Sequence, residues 1–144
     1  MICKKILDNQ FLIRNTTQDD VIEMEYLQSQ CYPTLYQSVI LDRNHFSNHI
    51  KIFPEGQIVE KKEGKIVASA STFRCNFPKH DSTFLEETDN LWLTNFQIPN
   101  GDWMYGIDMG VLPEYRGLGL CKEMYKVRMK CVKTLESKDK LLQE

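Results

Sequence analysis

The sequence predicts an α/β (α+β) fold: a mainly antiparallel sheet flanked by helices, in the order strand, helix, helix, strand, strand, strand, helix. Three observations predict it. Val21, Met24, Leu27 and Cys31 recur at helical spacing. Two runs of strand-forming residues, QIVEKK and KIVASASTFRC, flank the turn at Glu63-Gly64 and read as an antiparallel hairpin. The apolar run WMYGIDMGV is followed by a proline, two glycines and an amphipathic segment, the pattern of a strand, a loop and a helix.

Taken in order, FLIR (11–14) reads as the first strand. Thr16 or Thr17 is placed to cap the helix that follows, and Asp19 and Asp20 suit the partial positive charge of its first turn. Tyr32-Pro33 stops that helix, because proline lacks the amide that would continue it. A second helix runs from Asp42 to about Ile52 with Phe46, Ile50 and Phe53 inward, and FPEG (53–56) is its exit. The hairpin comes next. Residues 76–102, with two prolines, acidic residues and the apolar pieces TFL and LWLTNF, read as a long excursion with room for a short helix. After the strand at 103–111, a third helix spans about Gly119 to Leu135. Leu120, Met124, Val127, Cys131 and Leu135 form its apolar stripe, and Lys122, Lys126, Arg128, Lys130 and Lys133 a solvated face.

The 144 residues read as one domain, and 42% apolar with 26% charged residues is an ordinary globular composition. A net charge of −2 supplies no chain-wide reason to bind nucleic acid. Cys3, Cys31, Cys75, Cys121 and Cys131 are odd in number, widely spaced and without a CxxC pair, which argues against a disulfide framework and a zinc site. No stretch is apolar enough for a signal peptide or a membrane span. The expectation is a cytoplasmic protein that uses neither membrane nor metal.

VLPEYRGLGLC (111–121) carries the chemistry. A helix start presents amides without intrahelical partners and partial positive charge. Gly117 and Gly119 let a ligand approach those amides, and Arg116 adds a planar fork of donors suited to phosphate oxygens. Together they form an anion cradle for a phosphate or pyrophosphate. The spacing excludes a P-loop, since no GxxxxGK[ST] exists, and a Rossmann loop, since Lys122 stands at the third glycine position. The bland reading is a turn into a helix.

The segment fits the pattern V-x-P-x-x-(R/Q)-x-x-G-x-(G/A), with Cys121 as the small final residue, and so resembles the acetyl-CoA pyrophosphate loop of the GNAT acyltransferase superfamily. The element order is similar to that fold up to its third main helix. FPEGQI (53–58) and YGIDMGVLPEYRGLGL (105–120) also resemble the acetyltransferase domain found fused ahead of a carbon–nitrogen hydrolase domain. The resemblance implies that the amides of Arg116, Gly117, Leu118, Gly119, Leu120 and Cys121, extending to Lys122, hold the pyrophosphate of acetyl-CoA. Backbone groups of Met109, Gly110 and Val111 would serve the pantetheine arm and the thioester carbonyl. The reaction implied is acetyl transfer to a primary amine.

Tyr105 and Asp108 are the polar candidates for acid or base catalysis on the central strand. Strict alternation puts them on opposite faces, and each has a structural reading as well: a core aromatic and a capping or paired carboxylate. The family often takes its acid, a tyrosine, from a helix beyond the third, for which this sequence has no counterpart. The chain therefore reads as a single partial domain, residues 1–144, lacking the family's closing strands and helix. Its last strand would leave an unpaired edge, and a homodimer or larger assembly is expected to cover it. The alternative is a non-catalytic remnant serving as a structural module.

Other residues have simpler readings. His45 and His49 are four apart on the second helix, without HExxH or a third ligand, and read as helix residues. Cys121 has no neighbouring histidine to activate it. On the acceptor side, Tyr32-Pro33-Thr34-Leu35-Tyr36 and the 76–102 excursion lie where the family chooses its substrate. A small metabolite, a peptide terminus and a lysine side chain all remain open as the amine.

Overall fold

A computed structural model describes residues 3–35, 40–76, 86 and 88–143. Five strands, β1 (Cys3–Ile6), β2 (Phe11–Asn15), β3 (Gln57–Lys62), β4 (Lys65–Cys75) and β5 (Trp103–Val111), form one sheet in sequence order. Every neighbouring pair is antiparallel. The helices are α1 (Val21–Cys31), α2 (Arg43–Ile52) and α3 (Leu120–Gln143). The expected order holds from β2 onward, and the sequence reading missed β1. Ile6 opposite Phe11 and Lys4 opposite Ile13 make β1 a short hairpin partner of β2. Its turn runs through Leu7, Asp8 and Asn9, all at positive φ, where Asp and Asn are the tolerated non-glycine residues. Tyr36 and residues 77–85 and 87 of the excursion lie outside the described residues.

Helix entry follows local chemistry. Thr17 is the cap of a short 3₁₀ turn, Gln18–Asp20, that leads into α1. The Asp20 carboxylate accepts from Thr17 N (2.7 Å) and from both terminal nitrogens of Arg14 (2.7 and 2.8 Å). Asp42 caps α2 by accepting from Asn44 N and His45 N, and His45 Nδ1 accepts from Asp42 N in return. The described part of the excursion is a series of turns between Thr88 and Gly101, pinned back on β4. Ile98 N donates to Arg74 O (2.9 Å), and the Arg74 guanidinium donates to Gly101 O. The buried His49 holds Leu91 O at 2.7 Å through Nε2, and burial pushes its pKa down to about 4.

The buried apolar residues form two clusters. The larger joins Ile13, Met24, Leu27, Phe46, Val59 and Ile66 to Leu120, Met124 and Val127 of α3. The smaller groups Phe53, Phe73, Cys75, Leu93 and Phe96. Pairing along β4–β5 shows how the layers are arranged. Gly106 pairs with Thr72 and Asp108 with Ser71, so Ile107 is an extra residue on β5, a β-bulge. Phe73, Ser71 and Ser69 share one face of β4, so their partners Tyr105, Asp108 and Gly110 share it too. This corrects the expectation that Tyr105 and Asp108 face opposite ways: the bulge changes the parity between them. A Cβ on Gly110 would meet Leu27 and Cys31 of α1, whereas one on Gly106 would meet Arg128 of α3. The α1 layer therefore covers the face of Asp108, and α3 covers the other.

Glu60 of β3 lies opposite Ala68 on the α3 face and is fully buried, with neither carboxylate oxygen hydrogen-bonded. Burial first, and then the charge of Glu123, push its pKa up to about 8. The unfolded chain ionises Glu60 above about pH 4.5 while the folded chain keeps it neutral to about pH 8, so stability falls across that window as pH rises. Glu60→Gln should raise the unfolding free energy by about 1–2 kcal/mol at pH 8 and leave it nearly unchanged at pH 5, as read by urea titration.

Candidate functional site

The end of β5, the loop after it and the start of α3 form one wall of a cleft, and the end of α1 forms the other. The cleft encloses about 300 Å³ and is lined by Cys31 and Tyr32, by Met109, Gly110 and Val111, and by Tyr115, Arg116, Gly117, Gly119, Leu120 and Cys121. A chain entering α3 must leave β5 sharply. Pro113–Tyr115 makes a 3₁₀ turn, with Tyr115 N donating to Leu112 O (2.9 Å). Gly117 and Gly119 follow at φ +82° and +85°, with nothing within 4 Å of where a Cβ would sit. The glycines answer a backbone requirement, and the space beside them is open.

The first α3 bond runs from Glu123 N to Gly119 O (3.2 Å). The amides of Leu120, Cys121 and Lys122 precede it and have no carbonyl inside the helix to bond. Arg116 donates through Nε to Val111 O (3.3 Å), which ties its guanidinium to the end of β5 beside these amides. The structure thus brings together Met109, Gly110, Val111, Arg116, Gly117, Gly119, Leu120 and Cys121 in one cleft. Leu118 is 49% exposed and does not line it. Lys122 lies outside it as well, in a shallow basic groove with Lys4, Tyr125, Lys126 and Lys130.

β5 is the edge of the sheet, so one side of its backbone is open. Met109 O accepts from Tyr32 Oη (3.2 Å), and Val111 O from Cys31 Sγ (3.4 Å), both from outside the ladder. In a strand the N–H and C=O of one residue point the same way, so the amides of Met109 and Val111 also face the open side. Gly110 lets α1 come close: a Cβ there would stand 3.1 Å from Cys31 Sγ.

Asp108 sits behind this edge. Gln28 Nε2 donates to Oδ2 (2.8 Å), and Tyr32 Oη lies 3.3 Å from Oδ1. Burial pushes the Asp108 pKa up to about 6 against these bonds and the charge of Arg128. Burial, followed by the Asp108 charge, raises Tyr32 well above the usual phenol range. Tyr105 is not brought to the cleft. It is 36% exposed, and its ring meets Phe96 edge-on at 5.6 Å between centroids. Sequence reasoning placed Tyr32 only as a helix stop and a substrate-side residue. The signal for its partner was an aspartate in an otherwise apolar strand.

Comparison with known proteins fits this geometry. The family model for acetyltransferase (GNAT) matches residues 21–135, from α1 into α3. The chain belongs to the GNAT family. It is 32% identical over 133 residues to the probable hydrolase YhcX of Bacillus subtilis, covering 91% of this chain and 25% of that protein. It is 34% identical over 113 residues to the uncharacterized N-acetyltransferase YkwB of the same organism, covering 76% of this chain and 50% of that one. The chain thus spans a quarter and a half of the length of these two curated relatives. The match to YhcX accords with the resemblance to acetyltransferase domains joined to hydrolases.

Among solved structures, the loading GNATL domain of CurA from Lyngbya majuscula superposes with a TM-score of 0.70 at 18% identity, over 83% of this chain and 57% of that one. The putative acetyltransferase yncA from Salmonella typhimurium, solved with its cofactor acetyl-CoA, gives 0.58 at 12% identity, over 88% and 65%. These likenesses show the GNAT fold. Among the described residues no group of His, Cys, Asp and Glu is arranged to hold a metal, and no helix is long and apolar enough to cross a membrane.

The close approach of α1 to β5 gives a direct check on the cleft. Gly110→Val would push branched carbons into Cys31 and Leu27. It should lower the unfolding free energy by roughly 1–3 kcal/mol in urea titration.

Proposed function

We propose that this chain is an acetyl-CoA-dependent N-acetyltransferase that moves an acetyl group to a primary amine. The observation that carries the reading is the continuity of one cleft, from the unpartnered amides at the start of α3 to the open backbone edge of β5. The pyrophosphate sits on the amides of Gly117 to Lys122, where the helix dipole and the Arg116 charge favour an anion. The pantetheine arm runs along β5, bonding the backbone groups of Met109 and Val111 as an added strand would. An outward amide there meets the thioester oxygen and stabilises the oxyanion of the tetrahedral intermediate.

The acceptor arrives from the side where Asp108 and Tyr32 stand, and the carboxylate favours the approach of a cationic amine. Cytoplasmic action accords with five cysteines that are all free. A second copy of the chain covers the outer edge of β5, where Trp103 is 50% exposed and Tyr105 36%. An apolar strand with an open ladder is a template for such pairing.

Calorimetry with acetyl-CoA tests the cofactor reading. Wild-type protein should bind, and Gly119→Trp, which fills the cradle and strains a positive-φ position, should weaken binding by about tenfold or more. Folded wild-type protein that binds no acetyl-CoA would leave the loop as architecture only, the structural-module reading. Sedimentation equilibrium tests the assembly: a dimer is expected, and a folded monomer at high concentration would contradict it.

A further inference from the structure

We propose that Tyr32 and Asp108 form the proton-transfer unit of this cleft, with Tyr32 Oη as the catalytic group that meets the substrates and Asp108 as the acceptor behind it. The proposal rests on the acetyltransferase reading and assigns its acid–base chemistry to the end of α1. Three observations carry it: where the hydroxyl stands, what surrounds the carboxylate, and how the two are joined.

Tyr32 follows the last residue of α1 and lines the cleft opposite β5. Its hydroxyl has two acceptors within reach, Met109 O at 3.2 Å and Asp108 Oδ1 at 3.3 Å, and one proton to give. The Met109 carbonyl belongs to the strand edge along which the pantetheine arm runs. A cofactor that bonds this carbonyl releases Tyr32 from it and leaves Asp108 as its partner.

Asp108 is unlike the structural carboxylate of the same chain. Asp20 is locked by a bidentate bond to Arg14 at 2.7 and 2.8 Å, which holds its pKa below the usual range. Asp108 is held by the neutral donors Gln28 and Tyr32 and by the amide of Met109, and Arg128 acts on it only through its charge. A partly desolvated carboxylate with neutral donors is a better proton acceptor than one paired with a guanidinium. Its pKa of about 6 lies close to neutrality.

The transfer balances. The arriving ammonium first loses one proton to water. The neutral nitrogen then bonds to the thioester carbon, and its surplus proton passes to Tyr32 Oη as the tyrosine's own proton moves to Asp108 Oδ1. When the C–S bond breaks, Tyr32 Oη gives a proton to the departing sulfur and takes one back from Asp108. The sum is amide and free thiol, with both residues restored. The phenol never has to persist as phenolate, which its raised pKa would oppose.

The test measures thiol release from acetyl-CoA with spermidine, lysine and a dipeptide as acceptors, alongside calorimetry of acetyl-CoA binding. Tyr32→Phe should keep acetyl-CoA affinity within about threefold and lose about 10²-fold or more in kcat. Wild-type kcat/KM should fall on the acid side with an apparent pKa near that of Asp108, and Asp108→Asn should lose that limb with most of the rate. A Tyr32→Phe enzyme that retains wild-type kcat, or an acid limb unchanged in Asp108→Asn, would overturn the proposal. So would a wild-type protein that binds acetyl-CoA and acetylates none of the three amines, with the cofactor reading intact. Absence of acetyl-CoA binding in folded wild-type protein would remove both.

Discussion

The β-bulge at Ile107 is the constraint on which the rest depends. Up to Gly106 the strand presents one set of side chains to α1, and beyond the extra residue it presents the complementary set. Without that step Asp108 and Gly110 would point into the apolar layer under α3, and Met109 and Val111 would face α1. The carboxylate would then lose Gln28 and Tyr32 as partners. The glycine that lets Cys31 approach β5 would be wasted. Val111, now packed in the main core with Leu120 and Met124, would be displaced from it. One inserted residue thus aligns the core, the narrow approach of α1 and the polar wall of the cleft.

Much of this was legible in the sequence, and what was not has identifiable causes. The helical period at Val21, Met24 and Leu27, the turn at Gly64 and the proline–glycine loop after Val111 each reflect a strong local preference, and each recurs in the structure. β1 was missed because CKKI has little strand character alone and gains it by pairing with FLIR. Its Asp8-Asn9 turn was the available clue. The one local sign of the bulge was Gly106, and a strand glycine marks a close backbone approach as readily as a bulge. Counting by twos therefore separated Tyr105 from Asp108 when the fold keeps them on one face. Tyr32 was read as a helix stop because its partners lie 76 and 77 positions away. Such a contact belongs to the fold and not to a window of sequence.

Three buried or half-buried carboxylates show how one chain sets different proton affinities. Asp20, forked by Arg14, is held as an anion. Glu60, alone among apolar side chains with Glu123 beside it, is held neutral. Asp108 lies between, with hydrogen bonds and no ion pair, and its pKa of about 6 falls on the acid side of neutrality where that of Glu60 falls on the basic side. That intermediate group stands behind the cleft that the GNAT loop closes. Glu60 lies on the α3 face and Asp108 on the α1 face of the same sheet.

The central claim is that the start of α3 and the open edge of β5 act as one cofactor groove. Amide chemical shifts recorded by ¹⁵N NMR during addition of acetyl-CoA test it most directly. The account predicts that the largest shifts fall together on Gly117 to Lys122 and on Met109 and Val111, saturating at one concentration. Shifts confined to the basic groove of Lys122, Tyr125 and Lys126, with the β5 amides unmoved, would contradict it.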